Sequence, residues 1–336
     1  MNVLSLFNGM STGHTALDNV GIKVDKYYSS EIKPAAIKLT QHHYPDTIQL
    51  GDVTKWEEWD IDWKSIDMVL SGSPCQDLSI AGKRKGLEGE RSSLFWVFVD
   101  ILNHIKELNP DVLFLQENVG SAPIKDIGTM SRALGVYPVR INSSLVTAQL
   151  RDRYYWSNIK TTKDGLFGDF VTDIPQPKDK KIMFKDIVTG GAVKVNKSVC
   201  LAERTIASAS YKDMKSEKAQ RFLKERESRS MMSLVYQNKH SCLNTGSGKK
   251  NSQETLIHRN NTTGMITLIE EKEGYYRTVN NIEMCRLQGF PDDWCNILTE
   301  VEAGSLLGDG WTLPIIEHIF SYIIKDKNEK QRNGKI

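Results

Sequence analysis

One cysteine of the chain is placed for chemistry. Cys75 lies in the stretch SGSPCQDLS, directly after a proline and just beyond the apolar segment DMVL. A thiol becomes a nucleophile where substrate can reach it and where positive or hydrogen-bonding groups surround it. Groups of this kind occur in LQENV, which contains Glu117, and in QLRDRYYW, which contains Arg151 and Arg153. The four residues together indicate nucleophilic catalysis by Cys75.

The elements that must position these residues follow an alternating pattern. Apolar segments predicted as strands are VLSLF, VDKYYSSE, TIQLGD, DMVLSGS and DVLFLQEN, and helical patterns separate most of them. This alternation predicts βαβ units, hence a Rossmann-like α/β fold with a mostly parallel sheet and helices on both faces. Ligands of such sheets bind at the carboxyl ends of the strands. A polar segment follows each of the five predicted strands, which predicts one site there.

The groups at the predicted strand ends favour a nucleoside-containing ligand. Gly9 and Gly13 in FNGMSTG allow a backbone to approach a ligand closely. The segment lacks both the GxGxxG spacing and a GK[ST] ending, which disfavours a nicotinamide cofactor and a P-loop nucleotide. Glu31 is placed to accept hydrogen bonds from ribose hydroxyls, and Asp52 from an exocyclic amine. This set predicts S-adenosylmethionine as the cofactor.

Composition and cysteine usage exclude several classes of protein. With 39% hydrophobic and 26% charged residues the chain is globular, and no apolar run approaches the roughly 20 residues that span a bilayer. Its five cysteines form no CxxC pair, which argues against a zinc site and a disulfide framework. We therefore predict a cytoplasmic protein with no metal and no membrane association.

A basic middle region interrupts the regular pattern. Residues 160–260 contain 20 lysine and arginine residues against 11 aspartate and glutamate residues, although the formal net charge of the chain is only +2. Such an excess suits a polyanionic partner, but a solvated helical surface has the same composition. Periodic segments return from residue 274. The predicted organisation is a first domain at 1–159, a smaller irregular domain at 160–273, a part at 274–326 that packs back on the first domain, and a disordered tail at 327–336.

Six segments, in chain order, resemble the motif series of the DNA cytosine-C5 methyltransferases. They are FNGMSTG, SPCQ, ENV, QLRDRYYW, RLQGFPD and LLGDGWTLP, and they cover nearly the whole chain except its middle region. The resemblance is closest to the animal de novo-type enzymes and their phage and bacterial relatives. It implies an enzyme that flips a target cytosine out of duplex DNA and transfers a methyl group from S-adenosylmethionine to carbon 5 of the ring.

The resemblance also implies a role for each site residue. Cys75 would add to carbon 6 of cytosine, Glu117 would stabilise ring nitrogen 3, and Arg153 would hold the oxygen at position 2, while Arg151 would support a loop or a phosphate. The implied cofactor residues are Phe7, Gly9, Met10, Thr12, Gly13, Glu31, Ile32, Asp52, Val53, Pro74, Leu94, Asp309 and Trp311. Two positions depart from the family pattern, since many members have an acidic residue at Asn8 and an asparagine at Asp309.

The same resemblance makes 160–273 a target-recognition domain that uses its basic excess on phosphates. The glycine-rich segment after Cys75 would be a lid over the flipped base. The implied DNA-binding residues are Gln76, Ser79, Arg84, Lys249 and Lys250. The loop containing the last two residues would enter the major groove, or it is a plain surface turn. The expected partner is double-stranded DNA with a short CG-containing target, the expected state is a monomer, and a cognate restriction endonuclease is a candidate partner.

Two other functions stay open at this point. A transfer-RNA cytosine methyltransferase belongs to a branch that carries PPCQ and a CFT-like signature, whereas this chain has SPCQ and no CFT. A catalytically silent DNA-binding regulator would have little reason to keep Cys75, Glu117 and Arg153 together. An unrelated thiol hydrolase would need a Cys–His pair, and no histidine falls in the strand-end segments.

Overall fold

The computed structural model describes residues 1–74, 93–164, 168–191, 196–199, 269–272, 275–277 and 279–333. Cys75, the predicted lid with Gln76, Ser79 and Arg84, and the predicted DNA-binding residues Lys249 and Lys250 lie outside these ranges. The chain divides into two compact units. The first unit comprises Met1–Ile141, Asp152–Pro177 and Leu313–Ile336, and the second comprises Asn142–Arg151 and Lys178–Thr312.

A seven-stranded sheet forms the centre of the first unit. Its strands are β1 (Asn2–Leu6), β2 (Lys26–Ser30), β3 (Ile48–Gln49), β4 (Met68–Ser71), β5 (Leu113–Val119), β6 (Val139–Asn142) and β8 (Asp152–Ser157). They lie in the order β3-β2-β1-β4-β5-β8-β6. The strands β1 to β5 pair in parallel with one another, and β8 runs antiparallel to β5. The predicted mostly parallel α/β fold is therefore confirmed.

The order of the strands reverses at one point of the sheet. The chain passes from β1 to β2 on one side of the sheet and from β4 to β5 on the other, so that the strand order reverses between the neighbours β1 and β4. Ligands of open α/β sheets bind at such a reversal, outside the carboxyl ends of the strands. The residues after β1 and after β4 therefore border the expected ligand site.

Burial on both faces explains why the central strands are almost continuously apolar. All four residues of β4, the sequence MVLS, are buried, and Val3, Leu4 and Leu6 of β1 are at most 1% exposed. Parallel strands covered by helices on both sides have this composition, whereas a half-exposed strand alternates. The helices are α1 (Thr12–Asn19), α2 (Pro34–His43), α3 (Ser93–Leu108), α4 (Ile124–Leu134), α5 (Asn281–Gln288), α6 (Glu300–Asp309) and α7 (Leu313–Asn333).

Helix α7 packs against α1 within the first unit, where the Asn19 side-chain amide donates to Glu317 at 2.6 Å. The helix continues to Asn333, through most of the segment 327–336 for which the sequence predicted disorder. That segment, KNEKQRNGKI, is polar, but its lysine, glutamate, glutamine and arginine residues have high helix propensity and extend a helix that packing has already started.

An aromatic cluster fixes the segment that follows β3. Trp56 and Trp63 lie edge to face with ring centroids 5.7 Å apart, and both approach His104 of α3, at 5.5 and 5.2 Å. Trp59 stacks on Trp63. These rings belong to two short 3₁₀ helices, Val53–Glu58 and Trp63–Ser65, and to the segment that joins them. The cluster therefore anchors the turn that begins at Asp52.

The second unit is organised around the segment Asn142–Arg151. Lys197 donates its ammonium to the carbonyls of Ser144 and Thr147, at 2.7 and 3.0 Å. The other strands in the described part of the chain form short pairs. β7 (Gln149–Leu150) is parallel to β11 (Ser198–Val199), and β12 (Ile269–Lys272) is antiparallel to β13 (Tyr275–Arg277). In the first unit, β9 (Thr161–Asp164) is antiparallel to β10 (Asp169–Thr172).

Within the described part of the chain, no helix has the length and apolar character that crossing a membrane requires. The described residues also contain no group of three or more histidine, cysteine, aspartate or glutamate side chains that could hold a metal ion.

Candidate active site

The loop after β1 has an unusual backbone. Phe7, Gly9 and Ser11 all have positive φ, at 56°, 58° and 58°. For residues other than glycine this region costs about 1–2 kcal/mol, so that the surrounding structure must hold the loop in place. Strain of this kind concentrates at ligand-binding and catalytic sites. The loop lies at the strand-order reversal, where the fold expects a ligand.

The side chain of Asn8 stabilises this loop through a buried hydrogen-bond network. Its buried side-chain amide donates to the hydroxyls of Ser11, at 2.8 Å, and Thr40, at 3.2 Å, and its oxygen accepts from the Tyr27 hydroxyl at 3.1 Å. An amide donates and accepts at once, whereas an ionised carboxylate only accepts. The departure from the acidic residue of many family members is thus matched by a local network that uses both functions of the asparagine.

Glu31, after β2, joins two of the predicted ligand-binding segments. Its Oε2 accepts from the backbone N–H of Gly9 at 2.8 Å, and its Oε1 accepts from the backbone N–H groups of Ile32 and Lys33, at 2.8 and 2.9 Å. The last two of these donors lie at the N-terminus of α2, whose free N–H groups need acceptors. Three donors leave about one lone-pair site of the carboxylate for a further hydroxyl. The half-buried position of Glu31 is therefore compatible with ribose recognition.

Asp52, after β3, is held as an acceptor. Its Oδ1 accepts from the backbone N–H and from the hydroxyl of Thr54, both at 2.9 Å. These two hydrogen bonds, the backbone one foremost, lower the pKa of Asp52. The exposed side chain of Ile32 adds an apolar surface at the neighbouring strand end, since 69% of it is accessible. Carboxylates and an apolar side chain at adjacent strand ends suit a nucleoside, which has hydroxyls and a flat ring.

The other predicted cofactor residues of the first unit differ in exposure. Met10, Thr12 and Val53 are at most 6% exposed, so that their side chains face the protein interior. A Cβ on Gly13 would clash with Cδ1 of Leu70. Gly13 therefore provides close packing of α1 on β4, which the sequence had not indicated. Pro74 and Leu94 are half-buried, and Leu94 packs against the hydrophobic core.

Glu117 and Arg153 meet at the end of β5. The antiparallel register places Arg153 opposite Val119, and the Arg153 Nε lies 2.8 Å from the Glu117 Oε1. Only 7% of the arginine side chain and 11% of the glutamate side chain are exposed. The Arg153 guanidinium also donates to the carbonyl oxygen of Asp152 at 2.8 Å. A carboxyl group and a guanidinium are thus fixed side by side at the carboxyl edge of the sheet.

Arg151 belongs to the second unit, and its guanidinium binds backbone carbonyls there. Its guanidinium donates to the carbonyls of Gly308, at 3.1 Å, and Gly310, at 2.9 Å, at the C-terminal end of α6. A cation is favourable there because the last carbonyls of a helix carry negative partial charge. Arg151 therefore holds the backbone of the segment GDGW, in which Asp309 is exposed and Trp311 is half-buried.

Three residues of this region were not indicated by the sequence. The Gln116 amide donates to the hydroxyl of Ser73 at 2.9 Å, and a Cβ on Gly120 would lie 2.7 Å from the carboxylate of Asp152. The only sequence signal was their position, since Ser73 is the first residue of SPC and the other two flank ENV. Recognising them required the pairing of β5 with β4 and β8.

A strand order with a reversal between β1 and β4, a strained loop at that reversal and acidic groups after β2 and β3 define a Rossmann-like α/β protein whose expected ligand site lies at the carboxyl ends of its strands. The chain matches the family model of the C-5 cytosine-specific DNA methylases over residues 1–325, and it belongs to that family.

Individual relatives agree with this family. The type II methyltransferase M1.ScrFI of Lactococcus lactis subsp. cremoris is 27% identical over 320 residues, which are 92% of this chain and 75% of the relative. The orphan methyltransferase M.SPRI of Bacillus phage SPR is 34% identical over 175 residues, 48% of this chain and 38% of the relative. Other matches span between 31% and 49% of the relatives concerned. The Entamoeba histolytica methyltransferase EhMeth shares the fold, with a TM-score of 0.59 at 14% identity, covering 97% of this chain and 98% of that structure.

Proposed function

We propose that this protein is an S-adenosylmethionine-dependent DNA cytosine-C5 methyltransferase. The observation that carries the proposal is the buried contact between Glu117 and Arg153, in a chain of the cytosine-specific DNA methylase family. Cytosine presents ring nitrogen 3 and the oxygen at position 2 next to each other. A carboxyl group and a guanidinium held 2.8 Å apart can address these two neighbouring atoms at the same time.

In the proposed reaction, the thiolate of Cys75 forms a bond to carbon 6 of a flipped cytosine. The electron pair of the 5,6 double bond moves towards carbon 5, and the charge that develops on the ring is stabilised by Glu117 at nitrogen 3 and by Arg153 at the oxygen. When bound, S-adenosylmethionine would supply an electrophilic methyl group that carbon 5 can accept, with the thioether S-adenosylhomocysteine as the leaving group. Water then removes the proton from carbon 5, and the bond between carbon 6 and the Cys75 sulfur breaks. These two steps restore the aromatic ring and the thiolate of Cys75.

The residues of the strained loop fit the cofactor. Gly9 and Glu31 are already joined by a hydrogen bond, and Asp52 is held ionised at the next strand end. We assign the ribose to Glu31 and the exocyclic amine of adenine to Asp52, with Ile32 against the ring. Trp311 and Asp309 complete the proposed set from the segment that Arg151 supports.

The proposed substrate is duplex DNA. The region 160–273 would recognise the target, with its basic excess on the phosphates and with Lys249 and Lys250 in the groove, while Gln76, Ser79 and Arg84 would contact DNA beside the flipped base. A short target containing CG, a monomeric enzyme and a cognate restriction endonuclease belong to the same proposal.

Transfer of a tritiated methyl group from S-adenosylmethionine tests this function. Unmethylated duplex DNA of mixed sequence and transfer RNA serve as acceptors for the wild type, for Cys75→Ser and for Cys285→Ala, which changes a buried cysteine of the second unit. We expect label in DNA from the wild type and Cys285→Ala, and none from Cys75→Ser; bisulfite sequencing then gives the target. Label in transfer RNA alone would favour the RNA-modifying alternative, and label in neither would favour a silent DNA-binding protein.

A further inference from the structure

We infer that Gln116 is a positioning residue for the nucleophile, acting through Ser73 on the segment that carries Pro74 and Cys75. This inference rests on the proposed function, because it assigns a role in the same reaction. Gln116 precedes Glu117 in β5, and Ser73 precedes Cys75 by two residues. One side chain would thereby connect the strand of Glu117 with the segment of the thiol.

The contact is short and enclosed. Strands β4 and β5 are parallel with Ser71 opposite Gln116, so that the Gln116 side chain reaches the first residues beyond β4. Its Nε2 donates to the hydroxyl of Ser73 at 2.9 Å and to the carbonyl oxygen of Glu117 at 2.8 Å. Gln116 is fully buried, and Ser73 is 4% exposed. Water therefore does not compete for these two hydrogen bonds.

The orientation of the amide is set by its surroundings. The carbonyl oxygen of Glu117 can only accept, so the Gln116 nitrogen must face it, and the remaining N–H is then directed to Ser73. The Gln116 Oε1 is buried and has no hydrogen-bond partner among the described residues. An apolar side chain would avoid that unmatched acceptor. Both N–H groups of the Gln116 amide are therefore used, whereas its oxygen contributes no hydrogen bond among the described residues. This difference indicates that the side chain is retained for its donors.

Fixing Ser73 strongly restricts the path of the chain beyond it, because the next residue is a proline. Pro74 has a fixed φ and lacks an N–H, and the residue before a proline is confined to extended conformations. Once the side chain of Ser73 is held, few backbone freedoms remain at Ser73 and Pro74. The hydrogen bond from Gln116 therefore restrains the last described residues before the nucleophile.

A double-mutant cycle tests the inference. The variants are Gln116→Met, Ser73→Ala and the combination of both, with Ser71→Ala as the matched control, because the Ser71 hydroxyl is also buried but has no hydrogen-bond partner among the described residues. The readouts are kcat, the KM for S-adenosylmethionine, the rate of covalent capture on duplex DNA that carries 5-fluorocytosine, and the thermal unfolding midpoint.

We expect each single variant to lower kcat and the capture rate by about 10- to 100-fold, because small displacements of a reacting group have effects of that size. The KM for S-adenosylmethionine should stay unchanged, and Ser71→Ala should behave as the wild type. The double variant should be no slower than the slower single variant, because both changes remove the same bond. If Gln116→Met fails to fold, Ser73→Ala tests the same bond by removing a single hydroxyl.

Single variants with unchanged capture rates, or losses that multiply in the double variant, would overturn the role of Gln116 while leaving the proposed function in place. An equal loss in Ser71→Ala would also overturn it, since the effect would then be general to the strand end. A wild-type protein that labels no DNA and forms no covalent complex would overturn the proposed function and the inference together. The two failures are therefore distinguishable.

Discussion

Glu117 and Arg153 are joined by an ion pair, 2.8 Å between Oε1 and Nε, that is almost completely withdrawn from water. Buried ion pairs add little to stability, because the desolvation of both charges offsets their attraction. A pair of this kind at the ligand edge of a parallel sheet is therefore better explained by chemistry than by folding. Within the proposed reaction it keeps the carboxyl group and the guanidinium at a fixed spacing before the base arrives.

Replacing Glu117 by glutamine should lower the rate of methyl transfer without weakening the binding of DNA or of S-adenosylmethionine. The amide keeps the shape and an acceptor for Arg153 but cannot hold or share a proton at ring nitrogen 3. We expect methyl transfer to fall by about 100-fold or more, the usual size of a general acid–base contribution, while binding of DNA and of S-adenosylmethionine persists. Single-turnover transfer and a fluorescence binding assay measure the two effects. A variant with wild-type transfer would remove Glu117 from the mechanism.

Gly120→Ala should disturb the contact between Glu117 and Arg153 by displacing Asp152, which precedes Arg153 in β8. A Cβ at Gly120 would lie 2.7 Å from the Asp152 carboxylate oxygen and 2.9 Å from the Asp152 carbonyl oxygen, which also accepts from the Arg153 guanidinium. Because backbone must move to relieve this contact, we expect a loss of about 1–3 kcal/mol in the free energy of unfolding. Methyl transfer by the folded fraction should fall as well.

The matched control for that substitution is Gly190→Ala, since no atom of the described residues lies within 4 Å of a Cβ built at Gly190. Urea denaturation of both variants beside the wild type gives the comparison. Equal midpoints for the two variants would show that β5 and β8 tolerate the added methyl group, and the steric argument would then be wrong.

Arg151→Lys should weaken the segment that carries Trp311. The guanidinium donates to two carbonyls at the end of α6, and an ammonium cannot reproduce this planar arrangement. If Trp311 contacts the cofactor as proposed, the Kd for S-adenosylmethionine should rise about tenfold, which corresponds to the loss of one charge-assisted hydrogen bond. Isothermal titration calorimetry measures this.

Arg286→Lys is the control for that variant, because Arg286 also binds a backbone carbonyl of the second unit, that of Ile187 at 2.9 Å, but lies outside the proposed site. We expect its Kd to equal that of the wild type. An unchanged Kd in Arg151→Lys would mean that the GDGW segment either does not bind the cofactor or does not depend on Arg151.

The sequence predicts those features of the structure that depend on residues close together in the chain. It does not predict features that depend on contacts between distant residues. The strands β1, β2, β4 and β5 and the helix α3 were predictable from apolar runs and periodicity, because burial leaves a strong local signal. The strand β8 carries Arg153, yet its sequence DRYYWS did not reveal that it pairs antiparallel with β5. Strand pairing depends on two segments together, so it cannot be predicted from the sequence of either segment alone.

The candidate site shows the same division. Glu31 and Asp52 could be placed at strand ends because each depends only on the end of its own strand. The contact of Gln116 with Ser73 depends on the register of β4 and β5, and the strain at Phe7 depends on the network around Asn8. The packing of Gly13 depends in the same way on Leu70, far along the chain.

The stability of the first unit should depend on pH through His14. Its ring is stacked between Tyr27 and Tyr44, with centroids 4.3 and 3.8 Å away, and its Nδ1 is buried without a hydrogen-bond partner among the described residues. Desolvation by this burial lowers the pKa of His14, and the charge of Asp18 offsets only part of the effect. The unfolded chain, with a histidine pKa of about 6.5, therefore binds the proton more readily than the folded protein.

The stabilisation due to neutral His14 is complete above pH of about 6.5 and is lost as the pH falls through the lower pKa of the folded state. We expect the urea midpoint of the wild type to decline between pH 8 and pH 5 more steeply than that of His14→Phe, which keeps the stacked ring but cannot be protonated. Carboxylate titrations are common to both proteins and cancel in the difference. Parallel midpoint curves for the two proteins would show that His14 titrates alike in the folded and unfolded states.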